Sequence, residues 1–285
     1  FTVSDRTLGE CVEAARAEGL GLHLHVAEDD ADQRQHEVNL LADLTIFQSQ
    51  YCRYSTREKF RVIIHDGPVI HNPVDTTLFT PEGSRREFPG PVRVVCVSWS
   101  TNPRKGAASI YEVAHRNPAI TFVLCGRFPD APARDNILNL GFVERNSLPE
   151  VLRSCTVMLT FSENEACPNH VLEALACGLP VLYHDSGAMA EVIGECGLPI
   201  TVDNFSMQLG NLVSRREELA LKSRCRALEN FNPKKVFGRY QQAIEEALRS
   251  PLRVPMTRRL ALGWTEPLTR IPRYAGEVCK YKLGI

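Results

Sequence analysis

Residues 163 to 182 read ENEACPNHVLEALACGLPVL, with two carboxylates, Glu165 and Glu173, eight positions apart across a Pro-Asn junction. Pro168 suits the first position of a helix, because the N–H it lacks would have no intrahelical partner there. The amides of Asn169, His170 and Val171 would then point free of the helix and, with its dipole, form a site for an anion such as a diphosphate. Glu173, about one turn further in, can stand beside that anion and accept hydrogen bonds from a vicinal diol of the kind a ribose carries. Glu165 lies in the loop before the helix, nearer the mouth of a cleft, facing whatever is attached beyond the diphosphate. The residue types thus describe a clamp for a nucleoside diphosphate carrying a further group. His170 could add a hydrogen bond to phosphate, and His184 and Asp185, which close the next apolar run, could rim the cleft.

Such a clamp needs a scaffold. From about residue 91, short apolar runs alternate with helix-period segments, the pattern of βαβ units around a parallel sheet. Strands are expected at 92–99, 120–126, 156–162 and 179–185, and helices at 106–116, 147–154, 169–177, 187–194, 206–229 and 233–249. The strands are continuous apolar runs, as expected where both faces of a sheet are covered. Ligands of doubly wound sheets sit at the carboxyl ends of the strands, and 156–178 supplies strand, loop and helix in that order. Residues 1–75 suggest a helix (4–18), a strand (19–26), an acidic loop, a helix near 34–43 and a strand (44–49), too little for a complete doubly wound domain. The expected organisation is therefore α/β throughout: a partial N-terminal unit over 1–75, a Pro- and Gly-rich connection over 76–91, a Rossmann-like nucleotide-binding domain over 92–248 and a tail over 249–285.

The stretch around the two carboxylates resembles the E-x7-E region of retaining GT-B glycosyltransferases of family 4, the glycosyl transferases group 1. Ser162, Glu165, Pro168, Leu172-Glu173-Ala174, Ala176, Gly178, Pro180-Val181, Gly187 and Glu191 stand in that family's register. Three further stretches are similar to the same family: ADLTIFQSQYCR (42–53), VIHNPVDTTLFTP (69–81), with Pro73 where Gly is usual, and VRVVCVSWSTNPRKG (92–106), which ends in the family's Lys-Gly pair. Together they cover about residues 40–230. The resemblance implies a GT-B fold and transfer of a sugar, with retention, from a UDP- or GDP-linked donor to a carbohydrate or lipid-linked glycan; because a lysine and backbone amides can replace a divalent metal, no metal or other cofactor is expected. It also implies Lys105 as a phosphate ligand and, with Glu165, as a catalytic residue; Glu165 would orient a sugar hydroxyl.

This sequence departs from that pattern in two places. Where much of the family has an Arg five residues before the loop Lys, this chain has Ser100, and Arg104 beside Lys105 is the candidate for the second charge. Gly126 and Arg127, after FVLCG, are further donor-site candidates on the same edge. Most of the family's N-terminal, acceptor-side domain is missing from this sequence; His25, at the end of LGLHLHV, is the residue there nearest to a cleft, and is otherwise a structural histidine. The chain opens on Phe1 rather than Met, and residues upstream of it are expected.

Composition narrows the partners. The chain has 285 residues, 44% of them apolar and 24% charged, with a formal net charge of −1, which gives no steering toward nucleic acid. Its ten cysteines form no CxxC pair and no zinc-ligand spacing, and several sit inside apolar runs, so small buried thiols in a reducing compartment, the cytoplasm, are expected. No apolar run approaches the length that spans a bilayer. The tail carries eight Arg/Lys against two Glu. It reads either as a basic segment packing back across a cleft or as a peripheral contact with an anionic surface such as membrane headgroups.

Other functions are open to these residues. Asp30 to Asp32 could hold a metal as in GT-A enzymes, although an acid-rich helix start explains them equally well. A sugar-nucleotide epimerase would share the clamp, and so would a non-catalytic nucleotide-sugar-binding remnant. A nicotinamide dehydrogenase is disfavoured, because no GxGxxG follows an expected strand.

Overall fold

A computed structural model describes residues 24–27, 44–60 and 66–249, with side chains over 44–55 and 66–249. The helices expected at 4–18 and 34–43, Asp30 to Asp32, the side chain of His25 and the tail from residue 250 lie outside the described residues.

The chain divides into two compact units. Ser49–Cys52 and His71–Val236 make one, and the other described residues belong to the second. The smaller unit contains β1 (Leu24–Ala27), which carries His25, and β2 (Leu44–Phe47), paired in parallel with Leu24 opposite Leu44. Phe47 also bridges to Val69. Helix α1 (Gln50–Phe60), which the sequence does not announce, begins in the larger unit and continues in the smaller.

The larger unit is a six-stranded, all-parallel sheet. Its strands are β3 (Arg93–Ser98), β4 (Thr121–Gly126), β5 (Ile137–Gly141), β6 (Val157–Thr160), β7 (Val181–Tyr183) and β8 (Gly197–Pro199). Their order across the sheet is β5-β4-β3-β6-β7-β8. Winding therefore runs outward from β3 through β4 to β5, then returns to β6 on the other side of β3 and runs outward again. The helices between the strands are α2 (Ala107–Arg116), α3 (Leu148–Arg153), α4 (Asn169–Ala176) and α5 (Met189–Ile193); after β8 come α6 (Phe205–Ser214), α7 (Arg216–Asn230) and α8 (Pro233–Arg249), which begins in the larger unit and continues in the smaller. The four strands expected from apolar runs all form. β5 and β8 have no such signal, since ILNLG is interrupted by a polar residue and GLP is three residues with no run at all. The single helix expected over 206–229 is two, broken at Arg215, whose N–H bonds the Leu212 carbonyl at 3.1 Å.

Alternation along each strand sends side chains to two cores. Val95, Val97, Val123, Cys125 and Met158 join α4 and α7 on one face, where Val171, Leu172, Leu175 and Ala227 are buried. Val94, Cys96, Phe122, Leu124 and Val157 join α2 and α6 on the other, against Ile110, Val113, Phe205 and Leu209. Both faces are covered, which is why the strands read as unbroken apolar runs. The stretch 76–91, expected as a connection, is fastened within this unit: the Arg224 guanidinium donates to the carbonyls of Thr76, Phe79 and Ala176, and that of Arg153 to those of Thr80 and Ser84.

Gly126 closes β4 at φ 106°, and a Cβ there would lie 2.0 Å from the Ser98 carbonyl oxygen. Strain and collision coincide, so Gly126→Ala is expected to cost about 2–4 kcal/mol of stability. Urea unfolding measures it, and a loss below about 1 kcal/mol would show that the β3 and β4 ends can separate freely.

Candidate functional site

The return from β5 to β6 leaves β3 and β6 as neighbours whose following loops depart in opposite directions, the place where open α/β sheets bind ligands. After β3 comes a loop capped by its own side chains. The Ser100 hydroxyl accepts from the Asn102 N–H at 3.1 Å, and Asn102 Oδ1 accepts from the Arg104 N–H at 3.0 Å, starting a short 3-10 turn, Pro103–Lys105. Gly106, at φ 72°, ends the turn and starts α2, and a Cβ there would lie 2.3 Å from the Cβ of Phe161. The turn is thereby seated directly on the loop that follows β6.

That seating brings Lys105 to Glu165. Its ammonium donates to Glu165 Oε1, a contact across 60 residues of sequence between two partly buried side chains. The backbone around Glu165 is pinned from several sides: the Glu163 N–H donates to the Arg104 carbonyl at 2.8 Å, the Asn164 N–H to Ser186 Oγ at 3.0 Å, and the Ala188 N–H to the Glu165 carbonyl at 2.8 Å. Gly187, at φ 64°, permits this closeness, since a Cβ there would stand 2.5 Å from the Glu165 nitrogen.

Two expectations for α4 need correction. Pro168 does not occupy the first helical position; with ψ 109° it is the extended residue before the helix, and Asn169 comes first. Its carbonyl consequently points into the helix and accepts from the Val171 N–H at 3.0 Å, so the Val171 amide is not free. The amides of Asn169 and His170 keep no intrahelical acceptor. The Asn169 side chain is fixed from behind by Asn72, whose Nδ2 donates to Asn169 Oδ1 at 2.9 Å and to the Cys167 carbonyl at 3.1 Å.

His170 is partly buried with Nε2 3.4 Å from Thr160 Oγ1. Burial pushes its imidazole down to about 4, the Glu165 carboxylate pulls it upward and the Lys105 ammonium adds to the fall, so at neutral pH the ring carries no charge. Glu173 is partly buried on the same helix, and burial pushes its carboxyl up to about 7, opposed by the Arg145 guanidinium. Among the described residues no side chain is hydrogen-bonded to it.

The remaining candidates lie around this centre. Gly126 and exposed Arg127 follow β4, the Arg127 N–H donating to the Ser98 carbonyl at 2.6 Å. His184 follows β7, stacked on Phe161 with ring centroids 6.4 Å apart, and Asp185 is exposed beside it. Sequence reasoning misses Arg145, in the loop after β5, and the aromatic pair Trp99 and Phe142, which meet edge to face at the carboxyl ends of β3 and β5 with centroids 5.7 Å apart. Large rings standing just after strands are the available signal. Among the described residues no group of three or more His, Cys, Asp or Glu is placed to hold a metal, and no helix is long and apolar enough to cross a membrane.

The loop after β3, and the loop and helix start after β6, both lie within the stretch that is similar to known proteins. Residues 93–215 match the family model of the glycosyl transferases group 1. Over those residues the chain is similar to that family. A component of the human phosphatidylinositol N-acetylglucosaminyltransferase is 30% identical over 141 residues, 45% of this chain and 28% of that protein. The MMP alpha-(1->4)-mannosyltransferase of Mycolicibacterium hassiacum is 27% identical over 198 residues, 61% of this chain and 47% of the relative. The chain thus spans less than half the length of both. Among solved structures, Anabaena HepE in complex with UDP superposes with a TM-score of 0.65 at 17% identity, over 84% of this chain and 76% of that one, a likeness of fold. The structural neighbours are GT-B glycosyltransferases, as the α/β reading anticipated.

The larger unit carries a pH signature. Glu173 titrates at about 7 in the folded chain against an ordinary value of 4.5. A raised carboxyl means that the folded state is favoured while the group is protonated, so this contribution is full below about 4.5 and is lost as pH rises through 7. Glu173→Gln is expected to flatten that fall and to gain on the order of 1–3 kcal/mol at pH 8. Urea midpoints at pH 5 and pH 8 measure it; equal pH dependence in both proteins would contradict a buried, unpaired carboxyl.

Proposed function

We propose that the larger unit is the donor half of a retaining, metal-independent glycosyltransferase, which moves a sugar from a UDP- or GDP-linked donor to a carbohydrate or lipid-linked glycan acceptor. The observation that carries this reading is the meeting of Lys105 with Glu165 beside the two open amides of α4. The relatives' names support it, being those of N-acetylglucosamine and mannose transferases, as does the UDP held by the Anabaena protein.

The diphosphate lies between Lys105 and the amides of Asn169 and His170, with Arg104 and Arg127 as outer charges. An ammonium has three N–H donors, so Lys105 can keep Glu165 and still reach the β-phosphate. Glu173 accepts from the ribose diol, whose hydroxyls supply the donors this carboxylate lacks. Glu165, fixed in the adjoining loop, accepts from a hydroxyl of the donor sugar. His170, neutral, adds a hydrogen bond without adding charge.

In the reaction the bond from the anomeric carbon to the β-phosphate oxygen breaks and its electron pair stays on phosphate. Negative charge grows there while the sugar becomes oxocarbenium-like. Lys105 and the two amides already face that oxygen, so they stabilise the transition state more than the bound donor and need no reorganisation. The acceptor hydroxyl oxygen bonds to the anomeric carbon with net retention of configuration, and its proton passes to the departing nucleoside diphosphate. The fixed cation and amides offset the phosphate charge that a divalent metal would otherwise offset.

Isothermal calorimetry with UDP and GDP tests the clamp. One of them should bind equally with and without EDTA, and Lys105→Ala and Glu173→Ala should each weaken it by about 1–3 kcal/mol through the loss of charge-assisted hydrogen bonds. Unchanged affinity in folded variants, or binding abolished by EDTA, would contradict it.

A further inference from the structure

We propose that Tyr51 and Glu191 are positioning residues that set the aim of Glu165, an inference that rests on the donor-site reading above. Two chains of contact converge on the loop between β6 and α4. Asn164, immediately before Glu165, stands in the left-handed region at φ 57°, a conformation that Asn tolerates better than other branched or bulky side chains. Its Oδ1 accepts from the Tyr51 hydroxyl at 2.9 Å, and its N–H is held by Ser186. The Tyr51 bond thus locks the side chain of the residue whose backbone turn decides where the next carboxylate points.

Tyr51 is itself held by a partly buried anion. Both oxygens of Glu191 accept from the Gln50 N–H at 2.9 Å, and Oε2 accepts from the Tyr51 N–H at 3.3 Å, so this carboxylate caps the first turn of α1, where the helix dipole favours negative charge. His71 Nε2 lies 2.8 Å from Oε1. The guanidinium of Arg226 donates to the carbonyls of Glu191 and Val192 at 2.6 and 2.7 Å, fixing the backbone that carries the carboxylate. All these residues belong to the larger unit. Glu191 reaches Glu165 from a second direction as well, because its helix is preceded by Gly187 and Ala188, which pack on the Glu165 backbone and bond its carbonyl. One carboxylate thereby ties both supports of the loop together.

Support aimed at Glu165 alone should affect the sugar and spare the diphosphate. Calorimetry of the wild type with the pairs UDP and UDP-glucose, and GDP and GDP-mannose, gives the factor by which the sugar tightens binding. Tyr51→Phe is expected to leave diphosphate affinity within about twofold while weakening the sugar nucleotide at least about fivefold, the scale of one lost hydrogen bond. Glu165→Gln should weaken the sugar nucleotide at least as much, and the double variant should lose no more of that affinity than Glu165→Gln alone, since residues acting through one another are not additive. Equal losses for both ligands, no loss, or additive losses would overturn the inference. If Tyr51→Phe fails to fold, Ser186→Ala, which removes only the partner of the Asn164 N–H, carries the same comparison. Failure of the wild type to bind any of the four probes would instead overturn the donor site, and this inference with it.

Discussion

The constraint on which everything else depends is the reversal of winding between β3 and β6. A parallel sheet that grew in one direction would place successive loops side by side along its edge, each shielded by the next crossover. Because β6 returns beside β3, two loops that share no local sequence are brought against one another at the carboxyl ends of the strands. The Lys105 to Glu165 contact joins them. It is only partly buried, so its worth to stability is small, of the order of a surface pair. Its significance lies in geometry, since it shows that a cation and an anion have been brought together at a place where neither is needed by the core.

The surroundings make that geometry rigid. Gly106 and Gly187 allow backbone to lie against backbone on either side of the Glu165 loop, and a methyl group at either would strike it. Helix α4 buries Val171, Leu172, Ala174, Leu175 and Ala176, leaving Asn169, His170 and Glu173 on the side away from the core. Position 173 is about one turn beyond 169 and 170, so its side chain lies on their side of the helix, next to the end where the two open amides stand. The small residues of the buried side let α7 approach closely, and Arg224 of that helix holds the α4 end by the Ala176 carbonyl. Burial sufficient to fix the helix also desolvates Glu173 and His170, which is why one carboxyl rises and one imidazole falls. Rigidity and perturbed titration here have the same cause.

Much of this is legible in the residues alone. The four central strands announce themselves because both faces are covered, and Glu165 and Lys105 stand in the loop and turn beyond strand ends, with Glu173 one turn inside the helix that follows. What escapes is whatever depends on strand order. Nothing in residues 92–106 or 156–178 says that the two segments are neighbours, so the Lys105 to Glu165 contact, Arg145 near Glu173 and the Tyr51 to Asn164 bond cannot be inferred from them. The Val171 amide departs from expectation for a local reason: a proline before a helix reads as helical, whereas the extended ψ of Pro168 turns its carbonyl onto that amide. The break at Arg215 has no glycine or proline to mark it. Glu191 is visible as part of a family register, but its place at the start of α1 is not.

The most direct test of the clamp is a crystal structure of the chain soaked with whichever of UDP and GDP it binds. The expected result places a β-phosphate oxygen within hydrogen-bonding distance of Lys105 Nζ and of the Asn169 and His170 amides, with both ribose hydroxyls on Glu173. A diphosphate bound elsewhere, or a ribose turned away from Glu173, would contradict the account.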